Sequence, residues 1–442
     1  MIKLSAQKAG KEYKEYMYNF VDYICKYIGP RLATRDEEHK AINYIKEELD
    51  KSCDETFTQD FKTAYTAYPR GLVRFGGGMC LISFFFLFTG FPFITILLSL
   101  IGLLSAITEL LFLKSTIDIF YKKGTSRNIF GKIKPKNSGD PKLYLIFGGH
   151  SDSAFELPYA KKGVPAMQHR LYGAIALGVF AIIWALIKTF IILFNIQIFT
   201  ISGIPILGFN LFNINLMDFI LLTPFIIWLI YFLQILFRFF GKNIVKGAND
   251  NLSGVSVSVA IAKYLNKEEN RPKNIEVWCG SFGAEEAGQR GSRAFVQQTP
   301  KKVLNNSYSI ILESVGGGEG IGILKAETMY LTINKKFPFI HPIIHSPDVY
   351  DRLYKAYGIA KSKKKGFPIS ELVIAKFAGT DAVRFSEKGY KSCAIVGGGI
   401  ETKFIKNWHS LDDVPENLNK DLMKAVLNIC LEFIELVDKE YD

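Results

Sequence analysis

The chain has 442 residues, 49% of them hydrophobic, with 36 phenylalanines, a net charge of +12 and a mean hydropathy of +0.14. That length allows a large core and more than one structural unit, and the hydropathy points to a membrane protein with a substantial soluble part. Many of the basic residues flank the apolar segments, among them Arg70, Arg74, Lys114, Arg170, Arg238 and Lys242, which suits anionic lipid headgroups and argues against a nucleic-acid partner.

In chain order, residues 1–20 lack the apolar core of a signal peptide. The six cysteines form no CxxC pair, and Cys279 and Cys393 fall in apolar strand-like runs, so buried free thiols in a reducing, cytosol-facing compartment are expected. The stretch GPRLATRDEEHKAINYIKEEL comes next. Its Thr34 and Glu37 have capping-box spacing, and Ala41, Tyr44, Ile45 and Leu49 have the spacing of a helix face.

Two apolar blocks interrupt the pattern. The first, 75–113, is broken by TGFPF at 89–93 and reads as a helical hairpin with a short first arm. The second has helices over 171–194 and 217–240, joined by an apolar loop, 195–216, without Lys or Arg. A span needs about 20 apolar residues, so full crossing is favoured over a shallow dip. Lys188, Asp218 and Glu109 are costly there and are expected to face the protein or snorkel. An even number of crossings puts residues 1–70, 115–169 and 243–442 on one side, as one domain with transmembrane hairpins inserted at 71–114 and 170–242.

The remaining strands are expected at LYLIFGGH (143–150), NIEVWCGSF (274–282), YSIILES (308–314) and SCAIVGGG (392–399), with helices over 250–265, 288–299 and 417–438. Apolar strands alternating with helices indicate an α/β fold whose mostly parallel sheet is covered on both faces. Residues able to bind metal or move protons stand at the end of each strand or soon after it. These are His150 and Asp152 at the first, Glu285 and Glu286 after the second, Glu313 in the third, and His409 within NWHSLDD beyond the fourth. Asp250 opens a helix in GANDNLSG. The carboxyl ends of parallel strands share one rim, and two imidazoles among several carboxylates there suit zinc.

Each motif alone is weak, but their order is similar to that of the di-zinc aminopeptidases (peptidase family M-28, the aminopeptidase Y and bacterial leucyl aminopeptidase type). The resemblance rests on GGHSDS, GANDNLSG, FGAEEAGQRGS, GTDAVRFSEKG and WHSLDD, together with GPRLAT near the start. It implies two zinc ions per chain. Asp250 would bridge them, His150 and Glu313 would complete one site, and Glu286 and His409 the other. Glu285 would be the general base, with Asp152 behind His150. Glu313 stands where that family usually has Asp. Trp408 stands where Tyr is common, and its indole N–H is a substitute oxyanion donor.

The implied function is a membrane-anchored zinc exopeptidase, an aminopeptidase acting on peptides or amino-acid amides, hydrophobic or lipidated ones included. The hairpin inserted between His150 and Asp250 is the reason to expect a rim close to the bilayer. The rivals are a glutaminyl-cyclase-like cyclotransferase with one zinc and a non-catalytic subunit of a membrane complex. Basic catalytic-side flanks and uncharged hairpin loops place the catalytic part in the cytoplasm.

Overall fold

The computed structural model describes residues 6–206, 209–333, 338–376, 379–398 and 405–442. The first five residues and Gly399, expected at the end of the last strand, lie outside them. In chain order the elements begin with α1 (Ala6–Tyr27), α2 (Asp36–Asp50), β1 (Glu55–Thr63), α3 (Leu72–Phe86) and α4 (Pro92–Ala106). Then come β2 (Gly124–Ile133), β3 (Leu143–His150), α5 (Val164–Leu193), β4 (Thr200–Ile206), β5 (Phe209–Asn215) and α6 (Leu216–Arg238). The last part holds α7 (Gly254–Leu265), β6 (Ile275–Phe282), α8 (Arg290–Gln298), α9 (Lys301–Asn305), β7 (Ser307–Glu313) and β8 (Gly320–Thr332). It closes with β9 (His341–Ile344), α10 (Pro347–Ser362), β10 (Ser370–Ala375), α11 (Ala382–Ser386), β11 (Ser392–Gly398) and α12 (Lys420–Lys439).

These elements form two compact units. One comprises residues up to Tyr65, Lys122–Glu156 and Lys242–Asp442; the other comprises Thr66–Tyr121 and Leu157–Gly241.

The first unit is built on a sheet of order β1-β2-β6-β3-β7-β11-β8-β10, with β9 paired to β8. Its centre, β6-β3-β7-β11, is parallel, while β1, β2, β8 and β9 add antiparallel pairs. The sheet is therefore mixed at its edges and parallel where the expected ligands lie. Alternation along β3 shows why it is central. Leu145 and Phe147 enter a core shared with α1, α2, α7, α10 and α12, whereas Ile146 enters the opposite core with Phe282, Phe295 and Phe385. A strand buried on both faces has to read as a continuous apolar run.

Ala41, Ile45 and Leu49 of α2 are fully buried, as their spacing requires, and Tyr44 packs beside them. The capping box is a correction. Arg35 is the N-cap of α2, with no side-chain cap bond, and Thr34 N donates instead to Glu38 Oε2 at 2.6 Å. Cys279 and Cys393 are buried free thiols.

The second unit contains α3 to α6 and the two-stranded sheet β4-β5. Two helices are long and apolar enough to cross a membrane: Pro92–Leu111, which continues α4, and Pro165–Leu193 in α5. A third candidate, α6, is bent by 50° between Leu222 and Phe225; the sequence has Pro224 there, a residue with no backbone N–H to donate. With 15 residues, α3 falls short of a span.

The stretch 195–216, expected as a loop, instead pairs Thr200 with Asn215 through Ile206 with Phe209. The charged residues face inward. Lys188 Nζ donates to Asp218 Oδ2 at 2.6 Å and to Leu87 O at 2.5 Å, and also bonds Asn213 O. Trp184 Nε1 donates to Asp218 Oδ1 at 2.7 Å, and Glu109 Oε1 accepts from Thr116 Oγ1 and Ile117 N, both at 3.1 Å. Pairing inside the protein removes the cost of isolated charge.

Candidate active site

The three central strands β3, β6 and β7 run parallel and end together, so His150, the 283–286 turn and Glu313 share one rim. Asp250 arrives from the turn before α7. That turn is set by glycines: Gly247 adopts φ +58°, and a Cβ on Gly254 would lie 2.1 Å from Leu312 O. The α7 backbone thus rests directly on the end of β7. The Asp250–Asn251 peptide is cis.

Asp250 lies between the two imidazoles. Its Oδ1 is 3.1 Å from His150 Nε2, and its Oδ2 is 3.2 Å from His409 Nε2. Glu286 Oε1 is 3.1 Å from the same His409 nitrogen. Glu285 Oε2 and Glu313 Oε2 lie 3.7 and 3.8 Å from His150 Nε2. Trp408 stacks on the His409 ring with centroids 3.9 Å apart. The structure therefore brings together every residue singled out in the sequence. Despite their proximity to His409, Asp250 Oδ2 and Glu286 Oε1 are buried without a hydrogen bond among the described residues. Such orphaned acceptors fit a cation.

The electrostatics lead to the same place. Burial pushes Glu285, Glu286 and Glu313 above the ordinary carboxylate range. Burial also opposes ionisation of Asp250, but the His150 and His409 imidazoles beside it carry it well below that range. Both imidazoles resist burial and are driven up by their carboxylates, His409 to about 10. Four carboxylates facing two imidazoles are short of positive charge. The donor set of nitrogen and oxygen, with His150, Asp250 and Glu286 atoms within 4.8 Å of one another, suits zinc.

Several supporting residues escaped the sequence reading. Asp152 faces His150 Nδ1 at 3.3 Å, as expected, and also accepts the amides of Glu285 and Glu286, each at 3.0 Å. Glu38 of α2 takes the preceding amide, Ala284 N, at 2.9 Å, together with Ser126 Oγ at 2.8 Å. Burial pushes Glu38 up to about 8. Three consecutive amides thus hang on two buried carboxylates.

Asp413 accepts from the amides of Asn249 and Asp250 at 2.6 and 3.1 Å. Arg31 donates to the carbonyls of Ser151, Gly29, Lys246 and Gly247. Asn251 and Ser314 donate to the two oxygens of Glu313, which fixes the longer side chain in place. Ala284, Gln289, Ser314 and His409 all adopt positive φ, and such strained backbone clusters at functional sites.

Residues 238–434 match the model of Peptidase family M28. Over that stretch, a little under half of its length, the chain is similar to this family. The M28 segment contains Asp250, Glu285, Glu286, Glu313 and His409, while His150 and Asp152 join it only through the fold. Aminopeptidase YwaD of Bacillus subtilis (strain 168) is 27% identical over 197 residues, 44% of this chain and 38% of that relative. The match therefore spans less than half of that protein's length.

Among solved structures, the zinc aminopeptidase BSAP from Bacillus subtilis superposes with a TM-score of 0.52 at 15% identity, covering 96% of this chain and 95% of that one. A Bacteroides thetaiotaomicron glutaminyl cyclase bound to N-acetylhistamine gives 0.52 at 16% identity, covering 96% and 97%. At such identities the likeness is one of fold.

Asp152→Asn is expected to lower zinc affinity or kcat by about 10- to 100-fold, the usual cost of losing an outer-shell partner. The amide nitrogen it introduces would oppose the Glu285 or Glu286 N–H. Zinc titration together with kcat measures the effect, and wild-type values for both would remove Asp152 from the support of the site.

Proposed function

We propose that the chain is a membrane-anchored, zinc-dependent exopeptidase of the aminopeptidase type. The observation that carries this reading is the placement of Asp250, one carboxylate oxygen toward each imidazole. Asp250, His150 and Glu313 would hold one zinc, and Asp250, Glu286 and His409 a second. Zinc in these positions supplies a Lewis acid that polarises the scissile carbonyl and acidifies the attacking water.

The remaining work belongs to side chains of the chain itself. Gln289 Nε2 donates to Glu285 Oε1 at 2.9 Å, leaving Oε2 to take the proton from the attacking water. As the C–O bond forms and the C–N bond breaks, Glu285 returns that proton to the leaving amine. Asp152 holds His150 and both glutamate amides in place. Trp408 braces His409 and offers its indole N–H to the developing oxyanion.

The substrates are peptides or amino-acid amides, with hydrophobic or lipidated ones favoured. The apolar helices support anchoring in a cell membrane as a multi-pass protein. Basic residues on the catalytic flanks support a cytoplasmic catalytic unit. The cyclase reading is weaker because Glu313, held by Asn251 and Ser314, sits with His150 where a second ion would bind.

The test is a panel of aminoacyl amides, N-acyl-amino-acid amides and N-terminal glutamine peptides. Free-amine substrates should be hydrolysed, KM falling along a leucyl amide series of rising chain length while kcat stays nearly constant, because partitioning energy is shared by ground and transition states. With a membrane-impermeant substrate, cells should show activity only after lysis. Cyclisation of glutamine peptides in place of hydrolysis would overturn the assignment.

A further inference from the structure

Residues 195–217, between the body of α5 and Asp218 in α6, contain no charged side chain. Within them β4 and β5 pair, among the described residues, only with each other. Phe199 is 65% exposed, Ile201 52%, Ile204 57% and Phe212 46%. The apolar surface continues onto the adjoining helix ends, where Leu193, Phe194, Leu216 and Ile220 are also exposed.

The hairpin is firmly held. Gly90 N donates to Asn210 O at 2.8 Å and Asn213 N to Phe88 O at 3.1 Å, so the α3–α4 turn lies against β5. Lys188 joins Leu87, Asn213 and Asp218 beneath it. Both charges are buried, so neither gives this end of the unit a charged surface.

Two physical requirements then conflict everywhere but in one layer. Large isoleucine and phenylalanine side chains standing in water form a patch that soluble surfaces avoid. The outer edge of β4 meets no partner strand among the described residues, and its open N–H and C=O groups forbid the hydrocarbon core. The boundary between headgroups and acyl chains satisfies both, since it offers water to the backbone and lipid to the side chains.

We infer that the 195–217 hairpin lies in this boundary layer, with Ile201, Ile204 and Phe212 reaching the acyl chains and the β4 edge bonded to water and headgroups. This rests on the proposed membrane anchoring. The lipid surface is the occupant because the patch is continuous with the apolar helix faces and carries no charge with which to select a polar protein partner.

The experiment places an environment-sensitive fluorophore on the full chain, one site at a time, at Ile201→Cys, Ile204→Cys and Phe212→Cys, with Lys363→Cys as the aqueous control. The proteins are reconstituted in nanodiscs of phosphatidylcholine and phosphatidylglycerol, and each must retain wild-type zinc content. The three hairpin labels should be blue-shifted relative to Lys363. They should be quenched more by a spin label near the lipid headgroup than by one near the chain end.

Water-like emission, or stronger quenching from the chain end, overturns the inference. So does a blue shift that grows with protein density and ignores lipid quenchers, which would mean a second copy on the patch. Flotation with liposomes separates the two levels. A chain that does not float defeats the anchored reading along with this one, whereas a floating chain with a water-like hairpin label defeats only this one.

Discussion

Glu285→Gln should lower kcat by about 100- to 10,000-fold, the usual contribution of a general base, while zinc content stays at the wild-type level. The geometry separates the two roles. Glu285 is placed through its backbone, by Asp152, and through one side-chain oxygen, by Gln289. Glutamine at 285 keeps an oxygen for the Gln289 donor and the amide for Asp152, so the turn should hold its shape. What it lacks is a basic atom at Oε2. Glu286, the neighbour, points to His409 instead. Zinc lost from the variant would mean that the roles of the two glutamates are exchanged, and full activity would mean that the base lies elsewhere.

Zinc saturation of the wild-type chain should give two ions, and Asp250→Asn should leave neither bound tightly. Asp250 uses both oxygens, one toward each imidazole, so replacing one of them with an amide nitrogen weakens both positions at once. His150→Ala and His409→Ala should each cost one ion. Losing a Lewis acid removes several kcal/mol of transition-state stabilisation, on the order of 1,000-fold in rate, so all three variants should be nearly inactive. Circular dichroism checks the fold of Asp250→Asn, whose loop is still held by the contacts of Asp413 to the amides of 249 and 250. Elemental analysis giving one ion at saturation in the wild type would favour the single-zinc cyclase chemistry.

The site was legible because each of its chemical groups stands beside a local signal. His150 and Glu313 end, and Glu285 closely follows, apolar runs that can only be buried strands, and Asp250 sits among glycines that force a turn. Arg31, Glu38 and Asp413 carried no such signal. They work by holding backbone amides and carbonyls more than 100 residues away in sequence, and nothing in the periodicity around them marks that.

Glu38 was hidden by its neighbour. Glu37 has the spacing of a cap, but the rotation of α2 turns Glu38 inward. The edges of the sheet were less legible than its centre. β8 mixes an antiparallel neighbour, a parallel neighbour and a bulge against β9, so its side chains obey no single alternation. The 195–216 stretch read as a loop because Gly, Pro and Asn recur in it, yet cross-strand pairing overrode those local preferences.

The order of the strands in the sheet has a consequence for how the chain is made. β3 is synthesised before α5 and α6, but its two neighbours, β6 and β7, come after them. Throughout the synthesis of the second helical pair, the run LYLIFGGH has both edges open and both faces apolar, the state most exposed to wrong pairing. Closure of the sheet depends on contacts of long sequence separation, which slow folding. A ribosome that stalls between α6 and β7 would therefore leave a nascent chain with a sticky, incompletely paired strand, and such chains are natural clients for chaperones and quality-control proteases.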